Sequence, residues 1–466
     1  MDSARAVLEL TAFFAQVVQR IFEAIAGLGT VHDARSLEAY VEEQVKALGA
    51  VILELGLRER MKGRPVPPSL PCKCGRVQHR VDSRPMTVRG VLGPMELTER
   101  HYYRCDQCGE TGFVGDELRG ATEFTQLAEE RIALAGKDGA YAKAAALLKR
   151  LGIVEVAAST VRKVCLRLGR RLRASLDRQA AGQYGQEAAQ VEERAQRLAV
   201  GVDGTMLGRV DPQHRRRRSR KTGRKVRGKG RLKHFFHEVK TLVVFDFDGA
   251  GEAVRKTFHA TQERVEEFRE KVRLEAMKRG AETARVLVFL GDGAAWVWKT
   301  AQEHFPQAVQ ILDWYHAVEH LWAVGRARFG SDQKSVWAWV EQQKQHLWEG
   351  RLEQVLQALR QVARELGAPD PKLSEQARET DPCWVAHRNV GYFEGNRSRM
   401  DYPTYRARGL PIGSGVVESS CKHVVADRMK RTGMRWDEDG GESLLALRCL
   451  DLNGRWDSLW PVKEAG

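Results

Sequence analysis

The sequence predicts a multidomain α/β protein, and three observations support this prediction. At 466 residues the chain exceeds the size of a single ordinary core. Residues 1–62 show the apolar periodicity of helices, whereas after residue 197 apolar runs of strand length alternate with helical segments. Between these parts lie two closely spaced pairs of cysteines, in a segment that begins with several prolines. We therefore expect an N-terminal helical region, a small cysteine-bearing domain and a larger α/β domain.

The positive charge of the chain is concentrated in one segment. The formal net charge is +15, from 76 Lys and Arg against 61 Asp and Glu. Residues 214–233, "HRRRRSRKTGRKVRGKGRLK", contain 12 basic residues and no acid, which leaves +3 for the rest of the chain. Such a block attracts polyanions, so we expect contact with DNA or RNA, and a solvated loop is the alternative. The residues assigned to this contact are Arg215, Arg216, Arg217, Arg218, Lys221, Arg224 and Lys225.

Neither a membrane span nor a signal peptide is expected. The N-terminal stretch "LELTAFFAQVVQRIFEAIAGLG" is interrupted by polar residues in an amphipathic pattern. The sequence contains no run of apolar residues of the length, about 18 or more, that a membrane-spanning helix needs. Eight cysteines in a chain of this length do not form a disulfide framework, which favours a reducing compartment.

The cysteine-bearing segment, residues 63–120, predicts a structural zinc site of the zinc-ribbon type. A C-x-C pair and a later C-x2-C pair are each followed directly by glycine, as in zinc knuckles. The first spacing departs from C-x2-C, so His79 and His101 are alternative ligands, and reduced cysteines without a metal are the alternative to a site. The predicted Zn²⁺ ligands are Cys72, Cys74, Cys105 and Cys108.

Residues 121–196 predict a helix-turn-helix and a linker helix. One helix ends near Gly152, and Ser159 can cap a second helix whose face is basic. In a helix-turn-helix the second helix enters the major groove, and its cationic side chains meet phosphates and base edges. An ordinary helical hairpin is the alternative. The residues assigned to DNA contact are Arg162, Lys163 and Arg167.

The segment from residue 197 to 316 predicts the first part of a ribonuclease H-like core. Three strands follow each other as hairpins, "RLAVGVDGTML", "HEVKTLVVFDFDG" and "AVRKTFHATQ", and the basic block 214–233 connects the first two. A helix, the strand "VLVFL", a second helix and the strand "AVQILDW" come next. In a ribonuclease H-like fold the first and fourth strands are parallel neighbours.

This topology would bring together two acids at strand ends. Asp203 lies in "VDG" of the first strand, and Asp292 follows the fourth strand in "GDG". Carboxylates held close together match hard cations such as Mg²⁺, and Glu418 in "PIGSGVVESSCKHV" is the candidate third ligand. With it the site could hold two ions about 3.5–4 Å apart. The alternative for Asp292 is a helix N-cap.

Several motifs in order resemble a known family. The segments "VGVDGTML", "FLGDGAAWVW", "LDWYHAVEHLW" and "PIGSGVVESSCKHVVADRMKRTGMRW" are similar to those of the DDE transposases of ISKra-type bacterial insertion sequences, distant relatives of the Mutator-like group. The resemblance implies a catalytic triad of Asp203, Asp292 and Glu418 with Mg²⁺ or Mn²⁺. The family also has a signature in which an acid or a cysteine is followed, after two further residues, by a histidine. Asp313 and His316 of "DWYH" match it, which implies a supporting role for both. The alternative for His316 is a structural histidine whose hydrogen bonds are satisfied at a strand–helix junction.

The remaining segments are interpreted from the same resemblance. Residues 317–412 fit a helical insertion with a return loop, and residues 413–466 contain the core helix with Glu418 and the C-terminal segment. Basic residues after Glu418 are assigned to DNA contact, and a solvated helix face is the alternative. They are Lys422, Arg428, Lys430 and Arg431.

The expected function is that of a DNA transposase, which cleaves strands at element ends and transfers them into target DNA. Its partner would be double-stranded DNA, and joining two ends implies a homodimer or a larger assembly. The resemblance places the protein in the bacterial cytoplasm, at the nucleoid. The alternatives are a ribonuclease H-like nuclease without strand transfer and a domesticated DNA-binding protein without catalysis.

Overall fold

The computed structural model describes residues 3–26, 34–61, 66–114, 123–182, 195–210, 234–413 and 415–460. The chain forms two compact units, Met1–Cys165 and Leu166–Gly466. Within the described ranges, no helix combines the length and the apolar character needed to span a membrane.

The first unit begins with two long helices, in the region predicted to be helical, and an antiparallel sheet follows them. Helices α1 and α2 pack against each other, and Leu57 of α2 contacts a small core of Met86, Val88 and Met95 from the sheet. The four strands pair in chain order. The elements are α1 (Ser3–Ala26), α2 (Ala34–Met61), β1 (Ser69–Pro71), β2 (Val77–Arg89), β3 (Pro94–Arg104) and β4 (Thr111–Val114).

Three helices follow: α3 (Gln126–Asp138), α4 (Tyr141–Arg150) and α5 (Ala158–Gly182). Helix α5 starts at Ala158, so Ser159 lies in its first turn and is not the N-cap that the sequence suggested. The same helix continues to Gly182, so up to that residue the predicted linker helix is not separate from it. Residues 183–194 lie outside the described part.

The second unit is built on a five-stranded sheet with the order β7-β6-β5-β8-β9. Strand β5 pairs antiparallel with β6 and parallel with β8, so the prediction that the first and fourth strands are parallel neighbours is confirmed. The sheet centre is apolar, with Val200, Phe245 and Phe289 fully buried. The strands are β5 (Arg197–Val210), β6 (His234–Phe247), β7 (Ala253–Thr261), β8 (Val286–Gly291) and β9 (Val309–Leu312).

Helices complete the second unit. Those between and after the strands are α6 (Val265–Lys278), α7 (Ala295–His304) and α8 (Trp314–Phe329). The predicted helical insertion contains α9 (Gln333–Trp348), α10 (Leu352–Leu366), α11 (Glu375–Arg378), α12 (Pro382–Gly395) and α13 (Tyr402–Ala407). The last segment consists of α14 (Gly415–Ser420), a π-helical stretch (Cys421–Ala426), α15 (Asp427–Met429) and α16 (Glu438–Leu452).

Candidate functional site: an acidic cluster at the end of two parallel strands

The two predicted aspartates follow from the register of β5 and β8. The parallel pairing runs from Arg197 opposite Val286 to Gly201 opposite Leu290. Extending this register by two residues aligns Asp203 with Asp292. The negative charges of both acids contribute to raising the pKa of His316, which lies at the same edge. The carboxyl ends of parallel strands are where ligands bind in α/β sheets.

The carboxylate of Asp203 is partly buried and receives two donors. The backbone N–H of Gly204 donates to Oδ1 at 2.6 Å, and the thiol of Cys421 donates to Oδ2 at 3.3 Å. Burial raises the pKa of Asp203, and the negative charge of Asp292 adds to this effect. Burial also raises the pKa of the Cys421 thiol, to about 12, so the thiol stays protonated and can donate. The sequence does not predict this contact, because Cys421 and Asp203 are 218 positions apart.

Asp292 is held by a local turn and by the helical insertion. Its Oδ1 accepts a hydrogen bond from the N–H of Ala294 at 2.9 Å, and Ala294 itself is the N-cap of α7. The alternative role of Asp292 as that N-cap is therefore wrong. The hydroxyl of Tyr392 in α12 donates to the backbone carbonyl of Asp292 at 2.6 Å. Gly293 has φ +102°, and a methyl group there would lie 2.5 Å from the Tyr392 ring, so the insertion packs directly on this turn.

His316 and Asp313 form a charged pair beside the two aspartates. Asp313 is buried and caps α8, where its Oδ1 accepts the N–H of His316 at 3.0 Å and lies 3.3 Å from Nδ1 of the same residue. Hydrogen bonding to Asp313 and the charges of Asp313, Asp203 and Asp292 raise the pKa of His316 to about 9. The imidazole is thus a cation at neutral pH, which offsets the repulsion between the acids. His316 also lies at a strand–helix junction, in the first turn of α8, as the alternative of a structural histidine predicts.

Glu418 lies in α14, which packs on β5 and β6, but its side chain is exposed. Its neighbour Val417 packs on β5 so closely that a methyl group at Gly201 would lie 2.3 Å from Val417 Cγ2. Glu418 precedes Cys421 by three residues, a spacing that places both on one helix face. In the described residues, only the four cysteines of the first unit form a set of three or more ligands within 4.8 Å of one another, so Asp203, Asp292 and Glu418 do not.

Tyr315 is a further residue at this edge that the sequence did not single out. Its ring is 55% exposed, although it follows Asp313 by only two positions. A methyl group at Gly413 would lie 2.7 Å from the ring, so Tyr315 covers the turn that leads to the helix of Glu418. The N–H of Trp314 donates to Ile412 at 2.9 Å and joins the same two segments.

The residues predicted to contact DNA have different environments. Five of them are exposed: Arg162, Lys163, Lys422, Lys430 and Arg431. Lys430 donates to the hydroxyl of Thr205, two residues beyond Asp203 on the same strand face. The predicted contacts within the basic block, Arg215, Arg216, Arg217, Arg218, Lys221, Arg224 and Lys225, lie outside the described residues.

Two of the predicted DNA contacts are corrected by burial. Arg428 is 1% exposed, with its guanidinium over the Trp436 ring at 5.1 Å, so it supports the fold instead of reaching a phosphate. The guanidinium nitrogens of Arg167 are also buried. Helical periodicity alone placed both residues on basic faces, and it could not show which side of the helix is covered.

The four cysteines of the first unit form the predicted cluster. Cys72 and Cys108 have their sulfur atoms 3.4 Å apart, and those of Cys74 and Cys105 are 3.7 Å apart. All four ligand atoms lie within 4.8 Å of one another, close enough to bind a metal such as zinc.

The backbone favours a thiolate at Cys105, whereas at Cys72 a backbone hydrogen bond that lowers the pKa is outweighed by burial and by the neighbouring thiols, which raise it to about 12. Gly75 and Gly109 adopt φ +83° and +71°, which closes a tight turn after each pair. Backbone N–H groups of Cys108 and Gln107 lower the pKa of Cys105 to about 7. The alternative ligands stand apart from the cluster: His101 Nδ1 instead lies 2.9 Å from the Ser83 hydroxyl, and His79 is not in the set.

The model of a family described as "Uncharacterised protein family (UPF0236)" matches residues 35–459, which is most of the chain. No curated protein sequence matches the chain.

Proposed function

We propose that this chain, which belongs to the uncharacterised protein family UPF0236, is a metal-dependent DNA transposase with a ribonuclease H-like core. The observation that carries the proposal is the parallel pairing of β5 with β8, whose register, extended by two residues beyond Gly201 and Leu290, aligns Asp203 with Asp292. The strand order, with β6 antiparallel between β5 and β7, is the one expected for that core.

The residues at the acidic edge suit a hard divalent cation. Asp203, Asp292 and Glu418 would hold Mg²⁺ or Mn²⁺, which when bound supplies an activated attacking oxygen and stabilises the leaving oxygen of a phosphodiester. The protein prepares this edge in two ways. Gly204 and Cys421 orient the carboxylate of Asp203, and the Tyr392 hydroxyl fixes the backbone at Asp292. Protonated His316 lowers the cost of keeping both acids ionised.

Cationic residues near the acids would position the DNA backbone. Lys430 is exposed and bonded to Thr205, and Arg431 is its exposed neighbour. Phosphate contacts of this kind fix the register of a duplex but do not read its sequence. In this proposal end recognition would fall to the first unit, where Arg162 and Lys163 are exposed on α5 and the cysteine cluster would hold structural Zn²⁺.

The proposal is tested by cleavage and strand transfer on DNA that carries the sequences flanking the protein's own gene, with Mg²⁺ or Mn²⁺. We expect Asp292→Asn and Glu418→Gln to lower the rate of both steps by about 100-fold or more without weakening DNA binding. Glu375→Gln is the matched control, because Glu375 is an exposed acid of the insertion.

The other outcomes identify other functions. Cleavage without joining would assign a nuclease. Tight DNA binding without product under either metal would assign a non-catalytic DNA-binding protein. One observation favours this second candidate: Glu418 is exposed and does not form a compact set of ligands with the two aspartates.

A further inference from the structure

Helix α1 has a larger apolar surface than its neighbour covers. Its side toward α2 is formed by Leu10, Phe13, Val17 and Ile21, of which Val17 is 2% exposed and the others are partly buried. These residues recur at the spacing of one helical face. Among the described elements α2 is the one against which α1 packs extensively, and this contact requires no second apolar stripe.

A second stripe lies beside the first and is open to solvent. Val7, Phe14 and Ile25 are 64%, 51% and 43% exposed, and Phe22 is 68% exposed. The sequence spacing of Val7, Phe14, partly buried Val18 and Ile25 is seven, four and seven residues, which keeps them on one seam as in a coiled coil. The polar residues of α1 occupy the opposite side, around Glu9, Gln16 and Glu23.

The charge of α1 argues against a polyanion or a membrane as the partner of this stripe. In a chain with net charge +15, α1 has two arginines and two glutamates and is therefore neutral. Helices that lie on anionic membranes have polar faces rich in Lys and Arg, and α1 does not. A neutral apolar stripe fits another protein surface of the same character.

The area of the stripe suits self-association. Burial of a phenylalanine removes about 150–250 Å² of surface, so at the observed exposures the five side chains, with Leu8 included, offer on the order of 500 Å² per chain. Two copies together bury about 1,000 Å² of apolar surface before the polar rim is counted, near the lower limit of stable interfaces. Because the charges lie on the far side of the helix, neither a parallel nor an antiparallel pair brings like charges together.

We propose that the α1 stripe of Val7, Phe14, Phe22 and Ile25 is a homodimer interface that pairs with the same stripe of a second copy. A symmetric, self-complementary patch is the commonest way in which soluble proteins dimerise. The inference needs neither catalysis nor DNA, so it stands or falls apart from the proposed function.

The test is sedimentation velocity of the full chain, treated with nuclease, over a range of micromolar concentrations. We expect a concentration-dependent dimer, and we expect the double variant Phe14→Ser with Phe22→Ser to raise the dissociation constant at least about tenfold. Phe22→Leu should keep the dimer. Val254→Ser is the matched control, since Val254 is 64% exposed on β7. Hydrogen exchange of α1 in the variants checks that the helix is still folded.

Three results would overturn the inference. The first is a wild-type chain that stays monomeric at every concentration. The second is a double variant whose dimer has the same dissociation constant as that of Phe22→Leu, which would place the interface elsewhere. The third is a monomer whose α1 instead binds vesicles of phosphatidylcholine and phosphatidylglycerol, which would assign the stripe to a membrane surface.

Discussion

Asp203 shows how a single side chain connects two elements of the second unit. Its carboxylate accepts from the N–H of the next residue and from the thiol of Cys421, which lies 218 positions later in the sequence. The hydroxyl of Thr241 on β6 also contacts this thiol at 3.0 Å. Cys421 follows Glu418 by three residues, so a shift of the helix that contains Glu418 would also change the hydrogen bond between Cys421 and Asp203.

His259 gives a pH dependence at the scale of one residue. Burial lowers the pKa of His259 to about 3, and the charge of Lys271 adds to this effect. The unfolded chain therefore binds one more proton than the folded chain between pH 6.5 and 3, and the folded state loses stability as the pH falls through this window. We expect the free energy of unfolding to drop by roughly 2 kcal/mol between about pH 6.5 and 4.5 from this group.

The measurement is urea unfolding followed by tryptophan fluorescence at several pH values. The variant His259→Gln keeps a neutral polar side chain and should have a shallower pH profile than the wild type. Identical slopes for the two proteins would mean that His259 is not kept neutral by burial.

At the scale of elements, α5 and α16 approach each other as closely as glycine allows. A methyl group at Gly169 would lie 2.3 Å from the backbone oxygen of Ser443 and 2.5 Å from its Cα. Ala normally stabilises a helix interior relative to Gly by about 0.5–1 kcal/mol. Here the clash is with backbone, so we expect Gly169→Ala to destabilise the second unit by roughly 1–3 kcal/mol, as measured by calorimetry.

Gly391→Ala is the control for this prediction. Gly391 also lies in a helix of the second unit, α12, and no atom lies within 4 Å of a methyl group built there. This variant should raise the melting temperature slightly. Equal effects of the two substitutions would show that helix propensity, and not the contact with α16, determines the outcome.

The elements of this fold were predictable where the signal is local. The strands β5 to β9 follow from apolar runs and the cysteine cluster from short spacings, and both are present in the structure. The contacts that hold the acids were not predictable, because Tyr392 and Asp292 are 100 positions apart and meet only through the packing of the insertion. Burial of Arg167 and Arg428 was missed for the same reason: neighbours from distant segments decide which face of a helix is covered.

At the scale of the whole molecule, the cysteine cluster predicts that the first unit depends on a metal. The sheet β1–β4 has a small apolar core, centred on Met86, Val88 and Met95, so we expect bound zinc to contribute much of its stability. Purified protein should contain one zinc per chain by elemental analysis. Removal of zinc by a chelator should destabilise the sheet by more than about 2 kcal/mol, observed as faster hydrogen exchange in β2 and β3.

The controls for the zinc prediction are cysteine variants. Cys72→Ser combined with Cys105→Ser should lose the metal, whereas Cys383→Ser should keep it, because Cys383 lies outside the cluster. A full zinc content in the double variant would assign the metal to other ligands. Hydrogen exchange in β5 and β8 reports on the second unit in the same samples.

The π-helical stretch Cys421–Ala426 lies between Glu418 and Lys430, so its number of residues determines how these two side chains are oriented relative to each other. Each residue added to or removed from a helix rotates everything beyond it by about 100°. Deleting one residue from this widened turn would therefore swing Lys430 away from Thr205 while leaving the contact of Val417 with β5 in place. The number of residues in the stretch thus sets the direction in which Lys430 points, and a substitution of the exposed His423 should be tolerated far better than any insertion or deletion.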